Sequence, residues 1–428
     1  MLGTTFDYKP DTATRTKSVV IVGAGAIGLL YGCRLLEAEQ TTGTGEMDVN
    51  FVCRRDFNHC STHGFRMKSP DGDYFSGKGS ALSRKVHINS STILVPAEGV
   101  DWVICAVKSY SLKDDEGESL RNLITPMVGS NTRLLLIMNG LGCHKKFCEW
   151  FGMKPVFVGM AFTCVNRNHP DVDDFEDFVL IDHIAFGALL IGHSENDLEE
   201  LEIAKSLWNS TKISSKVTVA TSLLHAQWSK LCWNIPFSGL CVALGGVTTD
   251  IIANDPDLRL IADRIMMDTI SLANADILLQ YKADLQVQTA TLGKSGEGYD
   301  RDQKLRNDSV SNATLKLING DEIRSYCWAL TDSMGPYKSS TVLDLVRGNS
   351  LELEYLFNQP LERAKAISDL RYKDTRIESS TVVGTEAKVT DWIHLETVVR
   401  QVNAMARIAA AKKKMKLICT PTFILDIG

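Results

Sequence analysis

The run Val19-Val20-Ile21-Val22-Gly23-Ala24-Gly25-Ala26-Ile27-Gly28 constrains the fold more than any other stretch, because it joins an apolar β-branched strand to a G-x-G-x-x-G turn. Gly23 allows the tight turn, Gly25 lets a pyrophosphate approach the backbone, and Gly28 lets the following helix pack close. Ala24, Ala26 and Ile27 complete the loop, whose N–H groups at the helix start would face phosphate oxygens. Leu29, Leu30, Cys33 and Leu36 follow at helical spacing, so the context is strand, turn, helix. A dinucleotide site is the functional reading; a glycine-rich turn with only a structural purpose is the other.

A second alternating strand, Asp48 to Cys53, ends in Arg54-Arg55, where a Rossmann domain discriminates between cofactors. An acid there would hold a ribose 2′-hydroxyl, whereas guanidinium groups fork onto a 2′-phosphate, which favours NADPH over NADH. Asp56 follows and would do the acidic job if the strand ended later; a solvated loop is the remaining reading. Turn residues Ser69 to Asp73 suggest a hairpin. Trp102 to Val107 reads as a buried strand ending in Lys108, and Leu134 to Met138 as another ending in Asn139-Gly140. Polar groups therefore gather at the carboxyl ends of parallel strands, the edge at which such sheets bind ligands.

From about Ser222 the spacing becomes helical, in Leu223 to Cys232, Leu258 to Leu279, Ile323 to Met334 and Leu395 to Met415. The expected architecture is α/β: an N-terminal Rossmann dinucleotide-binding domain over 1–220, then a mostly α-helical substrate and catalytic domain over 221–428. The polar stretches near 281–311 and 369–390 read as exposed insertions or loops.

A chain of 428 residues, 44% hydrophobic, can bury two cores. Its net charge of −6 gives no reason to expect nucleic acid or an anionic membrane as partner. No C-x-x-C pair occurs among the 11 cysteines, so reduced core thiols and a cytoplasmic location are expected. Cys143, His144 and Cys148 lack a second pair at zinc spacing, and no metal is expected. The opening residues lack the apolar run of a secretory signal, and no later run has the length of a membrane span.

In Gln227-Trp228-Ser229-Lys230-Leu231-Cys232-Trp233-Asn234, Lys230 and Asn234 share a helical face. Lys230 is either an ordinary surface lysine or, set among Trp228, Leu231 and Trp233, partly desolvated, with a lowered pKa suited to proton transfer.

The ordered set Gly23-x-Gly25-x-x-Gly28, Lys108, Asn139-Gly140-x-Gly142, Trp228-x-Lys230-Leu231-x-x-Asn234, Ser339-Ser340 and Glu352-x-x-Tyr355 resembles the ketopantoate reductase family, over about residues 18 to 358. The resemblance implies an NADP-dependent oxidoreductase that reduces a 2-oxo acid to a 2-hydroxy acid, first of all 2-dehydropantoate to pantoate, towards pantothenate. It implies Lys230 as the general acid and Glu352 as the residue orienting substrate and lysine. Asn234 and Ser340 would bind substrate; Lys108 and Asn139 would stand at the cofactor cleft, and Arg54 would hold the 2′-phosphate. Ser238 replaces an asparagine common in the family on the substrate side, and Phe357-Asn358 replaces an Asn-Gly, so the cofactor half matches better than the substrate half. A different 2-oxo or 2-hydroxy acid is the alternative substrate, and a non-catalytic dinucleotide-binding sensor the alternative class. Helical second domains of such reductases often supply dimer contacts, which leaves a homodimer open.

Overall fold

The apolar run does form a strand, β1 (Lys17–Val22), and the glycine turn leads at once into helix α1 (Ala26–Thr42). The computed structural model describes residues 15–43, 46–54, 57–77, 84–152, 154–168, 179–292, 315–378 and 392–418. Alternation along β1 sends Val19 and Ile21 into one apolar cluster, with Leu29, Leu30, Cys33 and Leu36 of α1, and Val20 and Val22 into another beneath the opposite face.

Strands β2 (Met47–Val52), β6 (Trp102–Cys105) and β7 (Arg133–Leu136) continue a parallel core around β1. Val22 pairs with both Val52 and Cys105, and Cys105 with Leu136, so these strands end side by side. The chain fills one side of β1 with β2 and then crosses to place β6 on the other, making a topological switch point beside the glycine turn. A long antiparallel ribbon, β8 (Val156–Asn168) and β9 (Val179–His193), extends the sheet. The hairpin expected at Ser69 to Asp73 joins β3 (Phe65–Lys68) to β4 (Tyr74–Phe75). The full order is β4-β3-β9-β8-β7-β6-β1-β2-β5, where β5 is Val86–His87 and β10 (Val217–Ala220) pairs with β9.

After Ser222, whose hydroxyl caps the next helix, the regular structure of the described residues is helical. Helices α2 (Phe57–His63), α3 (Asp114–Ile124), α4 (His144–Phe151) and α5 (Leu198–Ser206) belong to the sheet half; α6 (Leu223–Trp233) opens the other. Pro236 cannot donate a backbone hydrogen bond, and the chain passes it in a wide π-turn over Asn234–Ser238 before α7 (Gly239–Ala243). The rest comprises α8 (Thr249–Asn254), α9 (Pro256–Leu292), α10 (Gly320–Met334), α11 (Ser340–Val346), a second π-turn at Glu354–Asn358, α12 (Gln359–Glu378) and α13 (Ile393–Ile418).

Two expectations need correction. Tyr281 to Leu292 is not loop but the end of α9, and Asp369 to Glu378 is the end of α12. Both stretches are polar yet contain no glycine or proline before Gly293 and Gly384, so nothing stops the helix. The remainders of the two expected insertions, 293–311 and 379–390, lie outside the described residues.

The halves interlock. Among the described residues, Leu141, from the loop after β7, is the one buried residue before Ser222 in the apolar cluster of the helical half. Leu223 and Ala226 of α6 return the contact, in the cluster beneath the sheet.

Candidate active site

Gly23 has φ +104°, and a Cβ there would stand 2.8 Å from Val107 Cγ1. A Cβ on Gly28 would lie 1.9 Å from the Gly23 carbonyl oxygen, so only glycine lets α1 pack against its own turn. Gly25 differs: a Cβ there would meet nothing within 4 Å. It lines a cavity of about 1150 Å³, with Gly23, Ala24, Ala26 and Ile27 on the same wall and Gly28 behind them. The first turn of α1 carries no acidic residue and no side-chain cap, and its first internal bond is Leu29 N to Gly25 O at 2.9 Å. The N–H groups preceding that bond have no partner within the helix and carry the positive end of its dipole.

Arg54, exposed at the end of β2, lines the same cavity; Arg55 and Asp56 lie outside the described residues. Open space at Gly25, a positive helix end and a guanidinium one strand away fit a dinucleotide and its phosphates.

Lys108, Asn139, Ser340 and Glu352 also line the cavity, so the two halves share it. Glu352, only 6% exposed, accepts from Ser109 N at 2.8 Å and from Lys108 Nζ at 3.1 Å. Asp344 accepts from the same ammonium at 2.8 Å. Burial works against the charge on Lys108, but Glu352 and Asp344 outweigh it and hold its pKa above the usual lysine range.

Lys230 has the opposite environment. Its Nζ donates to Asn139 Oδ1 and to the Ala161 carbonyl, each at 2.8 Å, and lies 5.3 Å from the centroid of the Phe162 ring. These acceptors are neutral, and burial pushes its pKa down to about 8, a fall that the Glu352 charge partly opposes. Both acceptors sit on the cavity wall. The helix presenting Lys230 is fixed from behind: Trp228 Nε1 donates to Asp276 Oδ2 at 2.9 Å, and Arg363 pairs with the same fully buried carboxylate.

The predicted residues are thus only partly brought together. Lys230 and Glu352 make no direct bond; Glu352 holds Lys108 instead. Ser340 opens α11 and faces the cavity, while Ser339 behind it is the helix cap. Lys230 itself, Asn234 and Ser238 are not among the lining residues; Lys230 reaches the wall through Asn139 and Ala161, and Ser238 is 2% exposed.

Asp344 and the Ala161 carbonyl were missed. Asp344 lies four residues after Ser340, a spacing that could have found it; a backbone acceptor leaves no mark in a sequence. Among the described residues there is no group of three or more His, Cys, Asp or Glu able to hold a metal, and burial pushes His144 down to about 4. No described helix is long and apolar enough to cross a membrane.

Two family models match the chain: "Ketopantoate reductase PanE/ApbA" over residues 19–181 and its C-terminal counterpart over residues 222–368. A 2-dehydropantoate 2-reductase from Nostoc sp. is 22% identical over 355 residues, covering 82% of this chain and 90% of that protein. Among solved structures, 2-dehydropantoate 2-reductase from Geobacter metallireducens superposes with TM-score 0.65 at 22% identity, covering 90% of this chain and 99% of its own. D-mandelate dehydrogenase with NADH and anilino(oxo)acetate gives TM-score 0.62 at 14% identity, over 92% and 99% of the two chains. With both models matched in order across most of its length, the chain belongs to the ketopantoate reductase family.

Proposed function

We propose that the chain is an NADPH-dependent reductase of 2-oxo acids, with 2-dehydropantoate as its first substrate and pantoate, a precursor of pantothenate, as product. The observation that carries this reading is the lysine ammonium of Lys230, held between two neutral acceptors on the wall of the cavity that the glycine turn begins. Residues 1–220 serve as the cofactor domain and 221–428 as the substrate and catalytic domain.

The first-turn N–H groups of α1 hold the diphosphate, and Arg54 pairs with the 2′-phosphate. When bound, NADPH supplies the hydride that reduces the carbonyl carbon. Lys230 Nζ gives a proton to the carbonyl oxygen, which would otherwise carry the negative charge of an alkoxide. A pKa near 8 suits this step, because the group is protonated at neutral pH yet gives up its proton more readily than an exposed lysine. Ser340 hydrogen-bonds the substrate carboxylate, and Lys108 keeps the Glu352 carboxylate fixed beside the reacting group.

The test is NADPH oxidation followed by absorbance with a panel of 2-oxo acids that includes 2-dehydropantoate and an aromatic 2-oxo acid. Turnover of 2-dehydropantoate above the others is expected. Faster turnover of another acid overturns the substrate, and NADPH binding without any turnover overturns the enzyme.

A further inference from the structure

Gln227 lies one helical turn before Lys230 and is 2% exposed, in a part of α6 that otherwise buries apolar side chains. A primary amide is costly to bury unless its hydrogen bonds are used. Its Nε2 donates to the Gly140 carbonyl at 3.0 Å, while its Oε1 is buried without a partner. A leucine would fill such a site without orphaning an acceptor, so packing alone does not account for glutamine here.

The bond it makes is placed at the chemistry. Residues three apart on a helix share a face, and this face grips two consecutive residues of one turn: Lys230 holds the Asn139 side chain and Gln227 the Gly140 carbonyl. From the other side, Leu141 N donates to the Tyr355 carbonyl at 2.7 Å. Gly140 has φ +107°, and a Cβ there would stand 2.4 Å from the Tyr355 backbone, so the turn is tightly seated. Gln227 itself does not line the cavity; whatever it contributes passes through Asn139.

We propose that Gln227 is a positioning residue for the reaction: by holding the Gly140 carbonyl it fixes the turn that sets Asn139, and Asn139 in turn fixes the ammonium of Lys230. The role rests on the reading of Lys230 as proton donor. Without Gln227 the peptide between Gly140 and Leu141 keeps only its N–H bond to the Tyr355 carbonyl, the turn loosens on the side facing α6, Asn139 Oδ1 shifts, and the ammonium follows it or loses a partner. A displacement of about 1 Å at a reacting group can cost on the order of 10²-fold in rate.

The experiment compares Gln227→Leu, Asn139→Ala, the double variant and Lys230→Ala. Gln227→Leu is expected to lower kcat by about 10–100-fold, with the NADPH Kd and the substrate KM little changed. In the Asn139→Ala background it should add almost nothing, because both changes break one chain of contacts. Wild-type kcat in Gln227→Leu, or losses that multiply in the double variant, would overturn the role. If Gln227→Leu no longer binds NADPH, Gln227→Met decides: it keeps the length of the side chain but has no donor for the carbonyl, so the same fall in kcat is expected and full activity overturns the role. Unchanged turnover in Lys230→Ala overturns the proton-donor reading, and this role with it. An inactive Lys230→Ala beside a fully active Gln227→Leu overturns this role alone.

Discussion

Lys108, just past the end of a sheet strand, and Glu352, 244 positions later in the helical half, meet at 3.1 Å across the cavity. Glu352 also takes the Ser109 N–H, so one carboxylate ties down the whole strand end. Glu352→Ala leaves the buried Ser109 N–H without its acceptor, a loss of about 1–3 kcal/mol. Urea denaturation should show that loss, together with a clear fall in kcat/KM; a variant as stable and active as the parent contradicts the bridging role.

On the proposed reading, Lys230 sets the pH dependence. As a general acid it works in the protonated form, and its pKa lies at about 8. The kcat for reduction should therefore be flat below that pH and decline above it, while oxidation of the 2-hydroxy acid gains as the neutral amine accumulates. Lys230→Ala should remove the decline and lower kcat by about 10²–10⁴-fold, with NADPH affinity retained by fluorescence titration. A decline at the same pH in the alanine variant assigns it to another group.

On the proposed reading, Arg54 separates the cofactors. In Arg54→Ala the Kd for NADPH should rise by about 10–100-fold, which corresponds to losing a charge-assisted hydrogen bond or two. The Kd for NADH should hardly move. Equal weakening of both cofactors removes the 2′-phosphate from the account.

Two glycines of one turn should respond in opposite ways. A methyl on Gly28 collides with the Gly23 carbonyl, so Gly28→Ala should lower stability by about 1–3 kcal/mol or more. A methyl on Gly25 enters open cavity, at φ −77°, which alanine adopts without strain. Gly25→Ala should melt like the parent and bind NADPH more weakly, so calorimetry and titration together distinguish packing from ligand space.

The sheet was largely legible because strands buried on both faces must be apolar throughout, and β1, β6 and β7 have that form. The glycine turn was legible because Gly23 and Gly28 answer backbone demands that only glycine meets. Harder were the ends of α9 and α12, where a polar composition resembles loop although nothing in it breaks a helix. The π-turn at Asn234–Ser238 was invisible, since Pro236 reports only that a normal turn cannot continue, not what replaces it. The Ala161 carbonyl shows a deeper limit: half of the hydrogen-bonded environment of Lys230 comes from backbone whose side chain says nothing of it.

Leu141 bears on how the protein unfolds. Its side chain is part of the helical cluster while its backbone hangs from a sheet strand, so withdrawing the helical half strips cover from both interiors at once. The halves should then melt in one cooperative transition, and a fragment ending near the boundary would expose apolar surface at the lip of its own cleft.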